Sequence, residues 1–475
     1  VQTSLDVGNT RSLLQKRALL KDCLCGASPE ELPIVVDYLA GILPQGKIGL
    51  GPALFRELEA GLPAERAELQ LGVVNEAFET IAKVSGAGAK RARLNLLGAL
   101  FTQATTVERD FLRRLVLGEL RQGALEAALV DGIAAAADVP EAAVRRAVML
   151  AGSASAVADV AMASGEAGLA QFRLEPGKPV RPMLAQPSDS MDDALDALGS
   201  AMLEYKLDGA RIQVHRIGQE VRIFSRQLND VTAGLPEVVD RVRAMPGQSL
   251  ILDGEVLALR RDGRPHPFQV TMRRFGRTSD VASMAKKIPL TAFFFDCLYR
   301  GSELIDQPFA DRRDRLLDLV GPDDAVPGRT TDDPHEAVAF LREALEAGHE
   351  GIMAKAPASL YAAGNRGSDW LKIKQVHTLD LVVLAAEWGS GRRSGWLSNL
   401  HLGARAGDGS FVMLGKTFKG LTDRVLEWQT RELLAREIGR EGHVVHVKPE
   451  LVVEIAVNDL QASPHYPAGL ALRFA

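Results

Sequence analysis

The sequence predicts a multidomain chain: an all-α N-terminal domain, an α+β central domain and a C-terminal β-barrel. Three observations carry this. Up to about residue 172, apolar residues recur at helical spacing, alanine is abundant and strand-like alternation is rare. Residues 163–190 then collect Gly165, Gly168, Pro176, Gly177, Pro179, Pro182 and Pro187, the composition of a linker. From 200 to 378 short alternating strands interleave with helices, and from 379 onward strands dominate. The expected domain limits are 1–174, 175–377 and 378–475, with a hinge near 376–379.

The length of 475 residues suits about three domains. A hydrophobic content of 46% can fill several cores. The net charge of −5 neither favours nor excludes nucleic acid, because a local basic surface matters more than the sum. No apolar run reaches the roughly 18 residues of a membrane helix, and the stretch from Val1 to Arg11 lacks the core of a secretory leader. Cys23, Cys25 and Cys297 are too few for a four-cysteine zinc site and predict a reducing compartment.

In the helical part, Thr105-Thr-Val-Glu108 is a capping-box pattern, with Phe111, Leu112, Leu115 and Val116 on the face behind it. Asp138-Val-Pro-Glu141 reads as a second helix start. Two glycine-punctuated turns could hold phosphate: residues 85–93, with Lys90, Arg91 and Arg93, and Gly118 to Gly123, with Arg121. Either also fits an ordinary solvated turn between helices.

The central part opens on Lys206, Asp208, Gly209 and Arg211, followed by the strand pattern Ile212 to His215. A lysine in such a place can be a nucleophile if its amine is uncharged, and Gly209 is read as sharpening the turn. The same spacing arises by chance in roughly 0.5 per cent of chains this long, so its neighbours decide. They are the strand Val221 to Arg226, the buried strand Leu250 to Ala258, which carries Glu255, and the strand Thr291 to Tyr299, in which Phe293 and Phe295 share a face. A carboxylate such as Glu255 in an apolar strand needs a partner, either a core arginine or a metal or ribose. Glu350 precedes another apolar strand, Tyr361 to Arg366 forms a glycine-rich loop, and Lys372 and Lys374 share one face of the strand that starts at Trp370. The last segment shows strands at 380–386, 410–415, 443–447 and 452–457, and a helix from Asp423 to Ile438. These suit a small Greek-key barrel of the OB type. The loop Gly389 to Gly395 and Lys416 and Lys419 are expected to face backbone phosphates.

Taken in order, Lys206-Leu-Asp-Gly-Ala-Arg211, Ser225-Arg226, Asp253-Gly-Glu255, Phe295-Asp-Cys-Leu-Tyr299, Glu350-Gly-Ile-Met-Ala-Lys355 and Trp370-Leu-Lys-Ile-Lys374 resemble the motif series of ATP-dependent DNA ligases of the covalent nucleotidyltransferase superfamily. Residues 118–123, 176–185 and 415–420 extend the likeness over nearly the whole chain, nearest to the three-domain bacterial and archaeal type. The resemblance implies an N-terminal DNA-binding domain, an adenylation domain and an OB-fold. It implies ATP as adenylate donor, Mg²⁺, and nicked double-stranded DNA bound by a monomer in the cytoplasm or nucleoid, with no membrane. Lys206 is expected to take AMP as a phosphoramidate, Glu204 to accept from the adenine amino group, and Phe295 to stack on the base. Arg211, Arg226 and Glu255 are expected on ribose and phosphate, and Glu255 and Glu350 near the metal. Arg366, Lys372 and Lys374 are expected to neutralise phosphate charge. An RNA-capping or RNA-ligase enzyme shares the lysine motif, and a non-catalytic DNA clamp could share the fold. The helical first domain and the presence of Lys206, Glu255, Glu350 and Lys372 weigh against these two readings. The family also carries a basic Arg-x-Asp-Lys motif beyond a segment like Leu470 to Phe474, and this chain stops at Ala475 before it. The expectation is slow charging of Lys206 with intact sealing of a nick already bearing AMP.

Overall fold

The computed structural model describes residues 1–58, 61–120, 125–362, 368–375, 377–390 and 393–473. Among these, ten helices run from Gln2–Asn9 to Ala154–Leu169. Their apolar faces meet in two cores, one around Leu20, Val36, Ile133 and Val157, the other around Phe78, Ile81, Leu97 and Leu115. The capping box forms: Thr105 caps the Glu108 amide at 3.3 Å, and Glu108 returns a carboxylate to the Thr105 amide at 2.8 Å. The second expected cap does not. Asp138 takes a positive φ of 52°, and the helix Glu141–Ala151 starts behind Pro140 with no side-chain cap. In the 85–93 turn, Lys90 pairs with Glu57 and Arg93 donates to the Val84 carbonyl at 2.6 Å, so two of its three cations serve the fold. Gly118 ends the helix Thr106–Leu117 in the left-handed region, while residues 121–123 of that turn lie outside the described residues.

The linker is threaded into the central part by hydrogen bonds. The Gly177 amide donates to His215 Nδ1 at 3.0 Å, Val180 to Gln213 at 2.8 Å, and Met183 to the Tyr361 hydroxyl at 3.2 Å. Met149 and Leu150 of the last helices pack into the same core as Met183, Phe309, Tyr361 and Trp370.

Two sheets make the central part. One has the strand order Gln186–Pro187, Trp370–Lys374, Gly351–Lys355, Ala201–Lys206, Gly328–Thr331. The other is antiparallel, in the order Glu220–Ser225, Ala210–Ile217, Ser249–Ala258, Leu290–Arg300. The chain passes from one sheet to the other between Lys206 and Ala210. Lys206 therefore ends a strand of its own. Gly209 is needed for close approach rather than for a left-handed turn: a Cβ there would lie 2.4 Å from the Val256 carbonyl oxygen.

The C-terminal part is an OB-like coiled sheet. The long strand His377–Trp388 pairs with Leu397–Arg405, Val444–Val447 and Val452–Val457. Register shifts between Val383 and Ala385 and between Glu387 and Trp388 let it bend across several partners. Phe411–Thr417 and Glu437–Glu441 flank this set, and the hairpin of Asp459–Ala462 and Leu470–Arg473 stands beside it. The helix Asp423–Ala435 covers the core, and the residues after it are a strand rather than the helix tail the sequence predicts. No described helix is long and apolar enough to cross a membrane.

Candidate active site

A cavity of about 730 Å³ opens between the two central sheets. Strand register lays out its floor. Glu204 pairs across to Met353 and then Lys372, Lys206 to Gly351 and Lys374, and Met202 to Lys355 and Trp370. Directly paired residues share a face, so one sheet surface presents a lysine at its rim, a carboxylate two residues deeper, and cations on the neighbouring strands. Arg226, Glu255 and Phe295 line the cavity from the other sheet. Lys206, Glu204, Arg211, Arg226, Glu255, Phe295, Glu350, Lys372 and Lys374 all line this one cavity. Arg366 lies outside the described residues.

At the rim, Lys206 is ion-paired with Glu350. Burial opposes the charge on Glu350, but Lys206, Lys374 and Arg473 outweigh it and hold its carboxyl below the usual range. Asn458 also donates to Glu350, at 3.1 Å. Glu255 accepts the Gly209 amide at 2.7 Å, and burial pushes its carboxyl up to about 6 despite nearby Lys206 and Arg211. The arginine partner weighed as the alternative for Glu255 belongs instead to Asp253. That fully buried carboxylate binds Arg211 at 2.7 Å, the Tyr361 hydroxyl at 2.5 Å and Gln213 at 3.1 Å. Arg211 spends its other terminal nitrogen on the Met183 carbonyl, at 2.6 Å. It sits 5.2 Å from the Phe295 ring centre, fixing that ring more than reaching into the cavity.

At the deep end, Glu204 is 1% exposed and lies 2.5 Å from both Arg313 and Lys355. Two cations meet this carboxylate where an isolated one is costly to bury. Burial lowers the Lys355 ammonium from its ordinary value, even with Glu204 and Asp296 against it.

The C-terminal part closes over the rim. Arg473 holds Asp208 by two hydrogen bonds of 2.5 and 2.8 Å and lies 4.7 Å from the Phe268 ring centre. Lys419 lines the cavity and Lys416 pairs with Glu387, and both side chains remain exposed to solvent. Of the basic glycine loop, residues 391–392 lie outside the described residues, and Arg393 donates to the Phe418 carbonyl. Sequence reasoning missed Asp253, Arg313, Lys355, Asn458 and Arg473. Lys355 stands within the motif that begins at Glu350, and its place on the Glu204 face was available from strand alternation. Arg313 carried no such signal, because it arrives from the helix Phe309–Asp324.

Comparison with known proteins matches this layout segment by segment. The family models described as DNA ligase N terminus, ATP dependent DNA ligase domain and ATP dependent DNA ligase C terminal region match residues 51–134, 182–374 and 393–475. The chain is 56% identical over 479 residues to a probable DNA ligase of Anaeromyxobacter sp. (strain Fw109-5), covering all of this chain and 92% of that one. The chain belongs to the ATP-dependent DNA ligases. This ligase is also 50% identical to a probable DNA ligase of Sorangium cellulosum (strain So ce56), covering all of this chain and 90% of that one. Its fold is similar to the solved structure Pmar-Lig_PreS3, with a TM-score of 0.67 at 18% identity over all of this chain and 97% of that one. It is an enzyme that joins DNA by forming phosphodiester bonds with ATP as adenylate donor. The N-terminal family match agrees with the ligase reading over the RNA-capping, RNA-ligase and clamp alternatives.

Proposed function

We propose that Lys206 is the residue that carries AMP. Its amine attacks the α-phosphorus of ATP, an N–P bond forms, the bond to the bridging oxygen of the β-phosphate breaks, and pyrophosphate leaves. The observation that carries this is the position of Lys206 at the rim of a cavity with a carboxylate at one end and Lys372, Lys374, Lys419 and Arg473 around the other. Fixed cations suit the charge that develops on transferring and leaving phosphates. An amine attacks only when its lone pair is free, and the amine of Lys206 is held in an ion pair by Glu350. Glu350 must therefore loosen its hold before attack. Phe295 is proposed to stack on the adenine, Glu204 to accept from its amino group, and Arg226, Arg366, Lys372 and Lys374 to hold ribose and phosphates.

Glu255 and Glu350 are proposed to hold Mg²⁺. No group of three acidic, histidine or cysteine side chains suited to a metal exists among the described residues. Two carboxylates beside a phosphate site fit Mg²⁺, which commonly binds through one or two carboxylates plus substrate oxygens. When bound, the ion would offset phosphate charge.

The DNA substrate is proposed to be a nick in duplex DNA held by one copy of the chain in the cytoplasm, with domains at 1–174, 175–377 and 378–475. The OB-like sheet contributes Lys419, Asn458 and Arg473 to the cavity lining, and the helical part packs onto the central part through Met149 and Leu150, which favours enclosure of a duplex. The test uses Lys206→Ala on two substrates. A nick already bearing AMP should be sealed, and a nick with a plain 5′-phosphate should not, even with ATP and Mg²⁺. Sealing of the plain nick by Lys206→Ala overturns the assignment.

A further inference from the structure

Leu228 holds a backbone conformation that leucine rarely takes. Its φ is 64°. The other non-glycine residues with a positive φ among the described residues, Asp138 and Asp280, are aspartates, whose short polar side chains tolerate it. Leu228 closes the tight turn that follows the strand Glu220–Ser225. Its amide donates to the Ser225 carbonyl at 2.8 Å, the Ser225 amide to the Asn229 carbonyl at 2.9 Å, and the Asn229 amide to the Ser225 hydroxyl at 3.3 Å. In a hairpin turn of this form the left-handed position ordinarily falls to glycine. A leucine there works against the turn unless its side chain is held from outside.

What stands outside the turn is the helical part. Leu228 is half-buried, and its Cδ1 lies 3.9 Å from where a Cβ on Gly152 would stand. Gly152 ends the helix Glu141–Ala151, and that end is fastened to the central part. Arg181 donates to the Met149 carbonyl at 3.3 Å and to the Gly152 carbonyl at 3.1 Å. Arg146 reaches Asp306 at 2.9 Å and Glu303 at 3.4 Å, and Met149 and Leu150 are buried in one core with Met183 and Ile251. Leu228 thus leans on a fixed wall. The two residues at the tip of its turn, Arg226 and Gln227, line the nucleotide cavity. Arg226 is exposed, and its side chain makes no ion pair or hydrogen bond among the described residues, so its reach into the cavity follows the path of its backbone. We propose that Leu228 is a positioning residue: docked against Gly152, it holds the turn left-handed and so keeps Arg226 set for the nucleotide, which couples the helical part to ATP binding. This inference rests on the proposal that Arg226 holds the ribose and phosphates of ATP.

The test is formation of the lysine adduct by the full chain with Mg²⁺ over a range of ATP concentrations. Leu228→Ala removes the docked side chain and keeps the steric cost of a left-handed residue. Leu228→Asn removes the same contact but tolerates that conformation. Leu228→Ala should raise the half-saturating ATP concentration about five- to thirtyfold, the population cost of a left-handed residue that nothing holds. Its rate at saturating ATP should stay within about twofold of wild type, and Leu228→Asn should stay within about threefold of wild type in both quantities. Equal behaviour of the alanine and asparagine variants would mean that Leu228 merely packs, and overturns the proposal. In an Arg226→Ala background Leu228→Ala should add nothing, whereas an additive effect rejects action through Arg226. Arg226→Ala alone should raise the half-saturating concentration at least as much as Leu228→Ala does. If it does not, the reading of Arg226 falls and this inference with it; if it does while Leu228→Ala is silent, the inference falls alone.

Discussion

Asp296 and Arg312 face each other with both side chains fully buried, joined by hydrogen bonds of 2.8 and 2.9 Å. Arg312 also donates to the Gln307 and Ser359 carbonyls, which ties the helix Phe309–Asp324 to the segment before the described loop ends. Breaking such a pair from one side leaves a charge buried alone. Asp296→Ala should therefore lower unfolding stability by about 3–5 kcal/mol, read from the urea midpoint, and a loss below about 1 kcal/mol would contradict the account. Glu387 behaves differently, because it lies nearer the surface and one of its partners, Lys416, is exposed. Burial opposes its charge, but Lys416, His401 and Asn399 draw its carboxyl down to about 2 from an ordinary 4.5. Between those values the unfolded chain binds more protons, so the stabilisation is complete above the ordinary value and is lost as pH falls toward 2. Glu387→Gln should flatten the stability-against-pH curve in that acid window, by about 1–2 kcal/mol after solvent screening. An unchanged acid slope in equilibrium unfolding would refute the network. At this scale Lys206 stood out from residue type and spacing, while Glu350 and Phe295 were singled out by the likeness of the ordered motifs. Arg313 was not, since its link to Glu204 joins positions 109 residues apart.

Elements differ in how plainly the chain announces them. The helix Thr106–Leu117 was legible because both halves of its capping box are local. Thr105→Ala should lower the melting temperature, with a stability cost of about 1 kcal/mol, and no shift in a thermal melt would mean that the box contributes nothing. Asp138 looked like a cap and is not one, because its backbone turns left-handed and Pro140 takes the cap position. Leu397–Arg405 escaped notice as a strand although Leu400 and Leu402 are buried in alternation with Asn399 and His401, the two residues that serve Glu387. Glu437–Glu441 continued a helical-looking run, and only pairing with Val444–Val447 makes it a strand. The hairpin ending at Arg473 has its meaning in Asp208, a partner no local pattern reveals.

Over the whole molecule, the three-part division and the order of motifs were legible because linkers and periodicity change along the chain. How the parts close on one another was not, since that depends on contacts such as Arg473–Asp208 and Asn458–Glu350. These two contacts hold the OB-like sheet over the cavity. Arg473→Ala combined with Asn458→Ala should loosen that closure and enlarge the radius of gyration of the DNA-free protein in small-angle scattering. An identical scattering curve would show that other contacts hold the sheet in place. Closure also presents a constraint on chemistry, because Glu350 is shared among Lys206, Lys374 and Asn458 while the cavity is covered. The central claim is that the covered cavity exists to charge one lysine. Incubation with α-labelled ATP and Mg²⁺, followed by peptide mapping under conditions that preserve a phosphoramidate, tests it most directly. The account predicts an acid-labile AMP on the peptide containing Lys206 and none on Lys206→Ala protein; label on any other lysine, or label that survives the substitution, would contradict it.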